Sequence, residues 1–237
     1  MSTVIKKRTP IIASNTLEFV LFDIGCGNAT RGVQWATKDK RMHVFCFDPR
    51  KECIDQALIK SQDKYVKGRV HPFQLAVASP VQNTLSFYVA NDASSSSLLE
   101  FNKEVVATKW KYPPGKTFFR TIAMEPVQTV RMDKFMNERR ISRVLFCRIE
   151  TQGTALDVLR SFGERIKDIY EFAIKVHVTD FDLYLEQTRK EDLLDFMNYY
   201  GFLVYGSNKY SQNQEEIIWF VNKKYAAKAL HLDYSAS

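Results

Sequence analysis

The chain has 237 residues, 45% apolar and 13% aromatic, which excludes disorder and fits one well-packed α/β domain, 1–237, with at most a small elaboration. The formal net charge is +7, but no dense Lys/Arg run marks a nucleic-acid patch, so the surplus reads as lysines spread over a surface. The four cysteines, Cys26, Cys46, Cys53 and Cys147, form no C-x-x-C pair and match no zinc spacing. Reduced, partly buried thiols in a cytoplasmic protein are expected, with no metal site. Residues 1–15 read as a polar N-terminal arm, with Lys6, Lys7 and Arg8 and no signal-type or membrane-spanning apolar run.

Short β-type runs alternate with helical patterns, which predicts a parallel sheet with crossover helices. Leu17 to Ile24 is a buried strand, Asn28 to Lys38 a helix, and Met42 to Phe47 a second strand closed by Asp48-Pro49. Arg50 to Ser61 is a helix with Ile54, Ala57 and Leu58 on one face, and Val70 to Val77 a third strand. Thr84 to Val89 alternates as an antiparallel insertion would. From Asn91 to Pro126 the pattern weakens around Ser94–Ser97 and Tyr112-Pro113-Pro114-Gly115, which predicts a surface loop or a lid over a ligand. Met132 to Arg139 is a helix, Val144 to Ile149 a strand, Thr154 to Phe162 a helix and Phe172 to Val178 a strand. Lys190 to Tyr200 is an amphipathic helix stopped by Gly201, with Tyr199 and Tyr200 assigned to the core. Phe202 to Tyr205 and Ile217 to Val221 close the chain as a hairpin. The pattern predicts a Rossmann-like, mostly parallel seven-stranded sheet with helices on both faces and a C-terminal antiparallel hairpin.

The turn Asp23-Ile24-Gly25-Cys26-Gly27-Asn28 stands where the first strand feeds the first helix. Glycines there allow a sharp turn and close approach of a ligand. With Gly32 the spacing is G-x-G-x-x-x-x-G, looser than the dinucleotide fingerprint that places a pyrophosphate at a helix N-terminus. The carboxylate of Asp23 would repel a pyrophosphate but suits the cationic methionyl part of S-adenosylmethionine (SAM). Asp48, at the end of the second strand, stands where a carboxylate accepts ribose hydroxyls. Backbone amides near Gly25 and Gly27 are expected to hold the methionyl part, and Gln74, Leu75 and Ala76 to flank the adenine.

These residues bring the sequence close to a known group. Phe22 to Gly27, Phe47-Asp48-Pro49, Gln74 to Ala78, Ser95-Ser96-Ser97-Leu98, Val130 to Asp133, and Arg148-Ile149-Glu150-Thr151-Gln152-Gly153 followed by Asp157-Val158-Leu159 resemble, in order, the motifs of the FkbM-like methyltransferases. The resemblance implies a class I methyltransferase fold, SAM as cofactor, cofactor contacts from Cys26, Asn28, Pro49 and Ser96, and methylation of a hydroxyl, often on a sugar. Arg148 replaces the family's lysine, Glu150 its aspartate, Ala155 its glutamate, and Lys175 stands at an acidic position of the fifth strand.

A hydroxyl acceptor must lose a proton, so a base is expected at the C-terminal ends of the central strands. Glu150 and His177 are the candidates. Arg148 shares a strand face with Glu150, either to orient the acceptor or as a buried partner. Asp180, Asp182 and Glu186 read as a solvated loop. Trp110, Tyr112, Phe118 and Phe119 either stack on a sugar or base or pack a lid onto the core. The leading expectation is an O-methyltransferase acting on a glycan or glycolipid. An RNA or cap methyltransferase and a SAM-binding module without turnover are the alternatives.

Overall fold

The structure, a computed structural model, describes residues 19–226 except 81, 113, 114 and 116. The expected arm 1–15, the start of the first predicted strand at 17–18 and the Pro113-Pro114 pair lie outside the described residues. In chain order the elements are β1 (Phe19–Ile24), α1 (Thr30–Lys38), β2 (Met42–Asp48), α2 (Lys51–Lys60), β3 (Val70–Gln74), β4 (Ala76–Val77), β5 (Thr84–Ala90) and α3 (Lys103–Thr108). Then follow β6 (Thr121–Val130), α4 (Met132–Glu138), β7 (Val144–Ile149), α5 (Ala155–Arg160), β8 (Ile169–His177), α6 (Lys190–Tyr199), β9 (Phe202–Tyr210) and β10 (Glu215–Asn222). Among the described residues no helix is long and apolar enough to cross a membrane.

Seven strands form one sheet in the order β3-β2-β1-β7-β8-β10-β9, with β10 antiparallel to both neighbours. This is the Rossmann-like arrangement expected from the alternation, and the hairpin is longer than its apolar core suggested. The period-2 pattern of β1 explains the layering. Val20, Phe22 and Ile24 join one core with Met132, Phe135, Val158, Leu193 and Met197 from α4, α5 and α6. Leu21 points the other way and packs with Trp35, Ala36, Ile54 and Ala57 from α1 and α2. Strand order reverses between β1 and β7, which opens a crevice at their C-terminal ends.

Three expectations need correction. The third strand does not run to Val77. The chain turns at Leu75, whose N–H donates to Phe73 O at 3.0 Å, and Ala76–Val77 leaves the main sheet to pair with Thr129–Val130. The stretch from Asn91 to Pro126 is not one loop. It contains α3 and the first part of β6, the middle strand of a second sheet in the order β4-β6-β5. Pro126 lies inside β6, where proline cannot donate to the ladder. It is tolerated because β4 reaches only Thr129–Val130, leaving β6 an edge on that side. Tyr199 is not core: it is 83% exposed.

The insertion carries its own apolar cluster, in which Phe101, Val105, Val106 and Trp110 pack against Leu183 and Tyr184 of the segment after β8. Polar contacts pin it further. Asn102 N–H donates to Leu183 O at 2.9 Å, and Leu185 N–H to Glu100 O at 2.8 Å. The buried carboxamide of Gln214, just before β10, donates to Lys111 O and accepts from Lys111 N–H, both at 2.8 Å. Gln214→Ala removes both bonds and is expected to destabilise the protein by about 2 kcal/mol in chemical denaturation, with faster tryptic cleavage after Lys111.

Candidate active site

The crevice holds a cavity of about 280 Å³. Its wall includes Gly25, Cys26, Gly27, Asp48, Pro49, Leu75, Ala76, Ser96, Arg148 and Glu150. The structure thus brings together most of the residues singled out in the sequence. Thr151, Gln152 and Leu98 of the quoted motifs and Lys175 also line the cavity, and the structure adds Phe87 and Ser94. Gln152 carried no sequence signal beyond its place before Gly153.

The turn after β1 is built tightly. Gly25 adopts φ +77°, and a Cβ on it would collide with the carbonyl of Glu150. Gly27, at φ +54°, has nothing within 4 Å of where its Cβ would stand, so bare backbone faces the cavity. The expected role of its amides needs correction. Gly25 and Cys26 N–H both donate to Phe47 O, at 2.9 and 3.0 Å, and Gly27 N–H donates to Asp48 Oδ2 at 3.0 Å. These donors shape the turn and leave its surface, rather than free N–H groups, for a ligand. The Cys26 thiol is pushed well above its ordinary pKa by a hydrogen bond with Cys46 and by burial, so it is a neutral wall group.

Asp48 stands in the wall with Oδ2 on Gly27 and Oδ1 accepting Arg50 N–H at 3.0 Å. Each oxygen keeps acceptor capacity for a hydroxyl. Burial raises its pKa, against the opposing hydrogen bonds and charge of Arg50 and the Gly27 amide.

Four predicted residues lie outside the wall. Asp23 is fully buried beneath it, with Oδ1 accepting Arg148 Nη1–H at 2.7 Å and Oδ2 without a hydrogen-bond partner among the described residues. Asn28 is occupied outside the cavity, accepting from Thr30 N–H and Oγ1–H and donating to Gln56. Gln74 is exposed and turns back to donate to Pro49 O at 3.4 Å. His177 is buried between Trp110 and Tyr184, with ring centroids 5.6 and 5.5 Å away. Among the described residues its ring nitrogens have no hydrogen-bond partner, and Nε2 lies 3.6 Å from Glu215 Oε1. Burial lowers its pKa to about 4, outweighing the pull of Glu215, so it is neutral at pH 7 and a weak proton acceptor.

Charges cross the strand ends in alternation. Asp23 on β1 holds Arg148 on β7, whose other nitrogen contacts Glu150 Oε2. Glu150 Oε1 lies 3.9 Å from Lys175 Nζ on β8, and Lys175 is 2.6 Å from Glu215 Oε1 on β10. Burial pushes the Glu215 carboxyl up, but Lys175, Ser211 and His177 together bring it below its ordinary pKa. Asp182, of the acidic loop, is tied to Arg189 at 2.9 Å.

A second cavity of about 170 Å³ lies beside the first and shares Ser94, Gln152 and Lys175 with it. Trp110 and Phe119 line it, while Phe118 is 63% exposed. Two hydrogen bonds tie the insertion to this region: Ser97 Oγ–H donates to Gln152 O, and Tyr184 Oη–H to Ser95 O, both at 2.7 Å.

Residues 26–204 match the family model described as the methyltransferase FkbM domain. The chain belongs to this family and is a SAM-dependent methyltransferase. No curated protein sequence matches it. Solved structures are similar at low identity. TrmK of M. capricolum in complex with S-adenosyl-homocysteine is 10% identical at TM-score 0.49, covering 94% of this chain and 70% of that one. A putative rRNA-methylase from Clostridium thermocellum is 12% identical at TM-score 0.48, covering 86% of each chain. A SAM-dependent methyltransferase from Aquifex aeolicus is 10% identical at TM-score 0.41, covering 86% and 82%. The first cavity fits SAM on its own features: bare backbone at Gly27, a carboxylate at Asp48 and an apolar wall of Phe47, Leu75 and Val77.

Asp48→Ala is expected to weaken SAM binding by roughly ten- to a hundredfold, the worth of a charge-assisted hydrogen bond, measured by calorimetry. For His177 the folded pKa, about 4, lies below its unfolded value. The unfolded chain therefore takes up a proton first as pH falls, and the stability lost between about pH 6.5 and 4 includes this term. His177→Phe removes it. Denaturation curves of the wild type minus those of the variant are expected to fall by up to about 3 kcal/mol across that window and to stay flat above it.

Proposed function

We propose that this chain is a SAM-dependent O-methyltransferase acting on a sugar hydroxyl of a glycan or glycolipid, with Glu150 as the base. The observation that carries this reading is the place of Glu150. Its carboxylate lines the cofactor cavity beside Lys175, one of the residues at which the second cavity begins. Oε2 is taken by Arg148, while Oε1 has only the longer contact to Lys175.

Gly25, Cys26 and Gly27 provide the surface for the methionyl part of the cofactor, Asp48 with Pro49 the ribose site, and Leu75 and Ala76 the adenine wall. When bound, SAM supplies a methyl group that moves to the acceptor oxygen as its bond to sulfur breaks. The chain seats the hydroxyl, excludes water with the insertion, and receives the hydroxyl proton at Oε1 of Glu150. Arg148, anchored by Asp23, keeps that carboxylate in the wall. His177 has no part in proton transfer.

Glu150→Gln is expected to lower turnover by about 10²- to 10⁴-fold, the usual worth of a general base, with SAM affinity unchanged. Tritium-labelled SAM offered with glycans, small alcohols and RNAs tests the class. Label in glycans or glycosides supports it. Label confined to RNA, with binding that weakens steeply in salt, overturns it, as does intact SAM binding with no product from any pool.

A further inference from the structure

We infer that the second cavity is the acceptor subsite, that it takes a single neutral polyhydroxylated ring, and that Gln152 orients the ring's reacting hydroxyl. This rests on the methyl-transfer reading above. Gln152 lines both cavities, with Ser94 and Lys175, so a group bound in the second cavity at this boundary faces the first.

Gln152 is one of seven non-glycine positions with positive φ among the described residues. It adopts φ +52°, a left-handed conformation that glycine takes freely and a glutamine takes under strain. Its carboxamide oxygen lies against Tyr184, which also lines the second cavity. The carbonyl oxygen of that amide has one long contact, 3.5 Å to Tyr184 Oη, and its nitrogen has no partner among the described residues. A half-buried amide with an unused donor suits a hydroxyl that arrives with the ligand.

The size and lining of the cavity choose the ligand class. At about 170 Å³, against about 280 Å³ for the first cavity, it has room for about one ring. Trp110 and Phe119 give an apolar wall, and Ser94, Ser95 and Lys175 give polar groups elsewhere, which suits a ring with apolar C–H faces and hydroxyls around its rim. Its lining carries two cations and two anions: Lys175 is bound to Glu215, and Lys111 and Asp92 add one charge of each sign. A phosphate-bearing nucleotide would meet no net positive charge, so a terminal sugar unit or free glycoside is favoured.

The test uses the full-length protein loaded with S-adenosyl-homocysteine and a panel of methyl glycosides, with binding read by saturation-transfer NMR and turnover by labelled SAM. Gln152→Gly relieves the backbone strain, so it is expected to melt no lower than the wild type, yet to raise KM for the glycoside about tenfold, the worth of one hydrogen bond. Trp110→Ala is expected to weaken glycoside binding at least tenfold, about the loss of one aromatic wall, while keeping affinity for S-adenosyl-homocysteine. Trp110→Phe restores part of the binding. Oligosaccharides are expected to be methylated on a terminal unit only. Unchanged glycoside binding and turnover in both Gln152→Gly and Trp110→Ala overturn the subsite and leave the O-methyltransferase reading intact. Methylation of internal units overturns the single-ring fit. If the wild type methylates no hydroxyl compound, that reading fails, and the NMR arm decides the cavity alone. Glycoside binding lost in both variants then upholds a ring-binding site, and no binding to the wild type overturns it.

Discussion

The site depends on one constraint: charges buried at the strand ends must each find an opposite charge. Asp23 is fully buried, and the Arg148 side chain is only 9% exposed. Leaving either alone would cost several kcal/mol. Apart from Arg148 and Glu150, which both come from β7, the partners come from different strands, so the pairing holds only when β1, β7, β8 and β10 lie side by side. The register delivers this, setting Asp23 opposite Arg148 and placing Glu215 opposite neutral His177, within reach of Lys175 two residues away on β8. The residues that depart from the family pattern are therefore coherent with one another. Lys175, at an acidic position of that pattern, sits between two carboxylates, Glu150 and Glu215.

Around this line of charges the molecule divides its work. The parallel part of the sheet supplies the cofactor side, where a sharp turn, an apolar wall and Asp48 are preset before any ligand arrives. The insertion supplies the opposite side. Its serines hold the β7 turn through Ser97 and Gln152, and its aromatics pack on Leu183 and Tyr184. Buried Gln214 fastens it to the hairpin. A connection that looks polar and irregular in sequence is thus as well anchored as the helices.

Much of the fold was legible because periodicity reports burial directly. β1, β2, β7 and β8 are flanked by helices, and their apolar runs say so. Elements with one face in water were harder. β6 mixes exposed Ile122 and Met124 with Pro126, so neither alternation nor propensity marks it. Tyr199 looked like core because its helix is amphipathic, but it falls on the outer face. For the site, glycines and acidic residues at strand ends located the cavity, since turn geometry and charge are local properties. Their neighbours were not local. Asp23 and Arg148 meet across 125 positions, so the sequence showed two ionisable groups and not that they bind each other. Asn28 and Gln74 lie beside the cavity in sequence, yet their side chains are spent on hydrogen bonds with Thr30, Gln56 and Pro49. His177 looked like a base by residue type, and only its burial among aromatics lowers its basicity.

The Gln214 clamp bears on the order in which the chain acquires its parts. The wall of the first cavity is complete once Lys175 has been made, whereas the second also needs Ser211 and Glu215. Both follow α6 and the long edge strand β9. A chain emerging from its N-terminus thus holds every residue of the cofactor wall while the neighbouring chamber still lacks a side. Only the final hairpin, by seating β10 against β8 and catching Lys111, closes it.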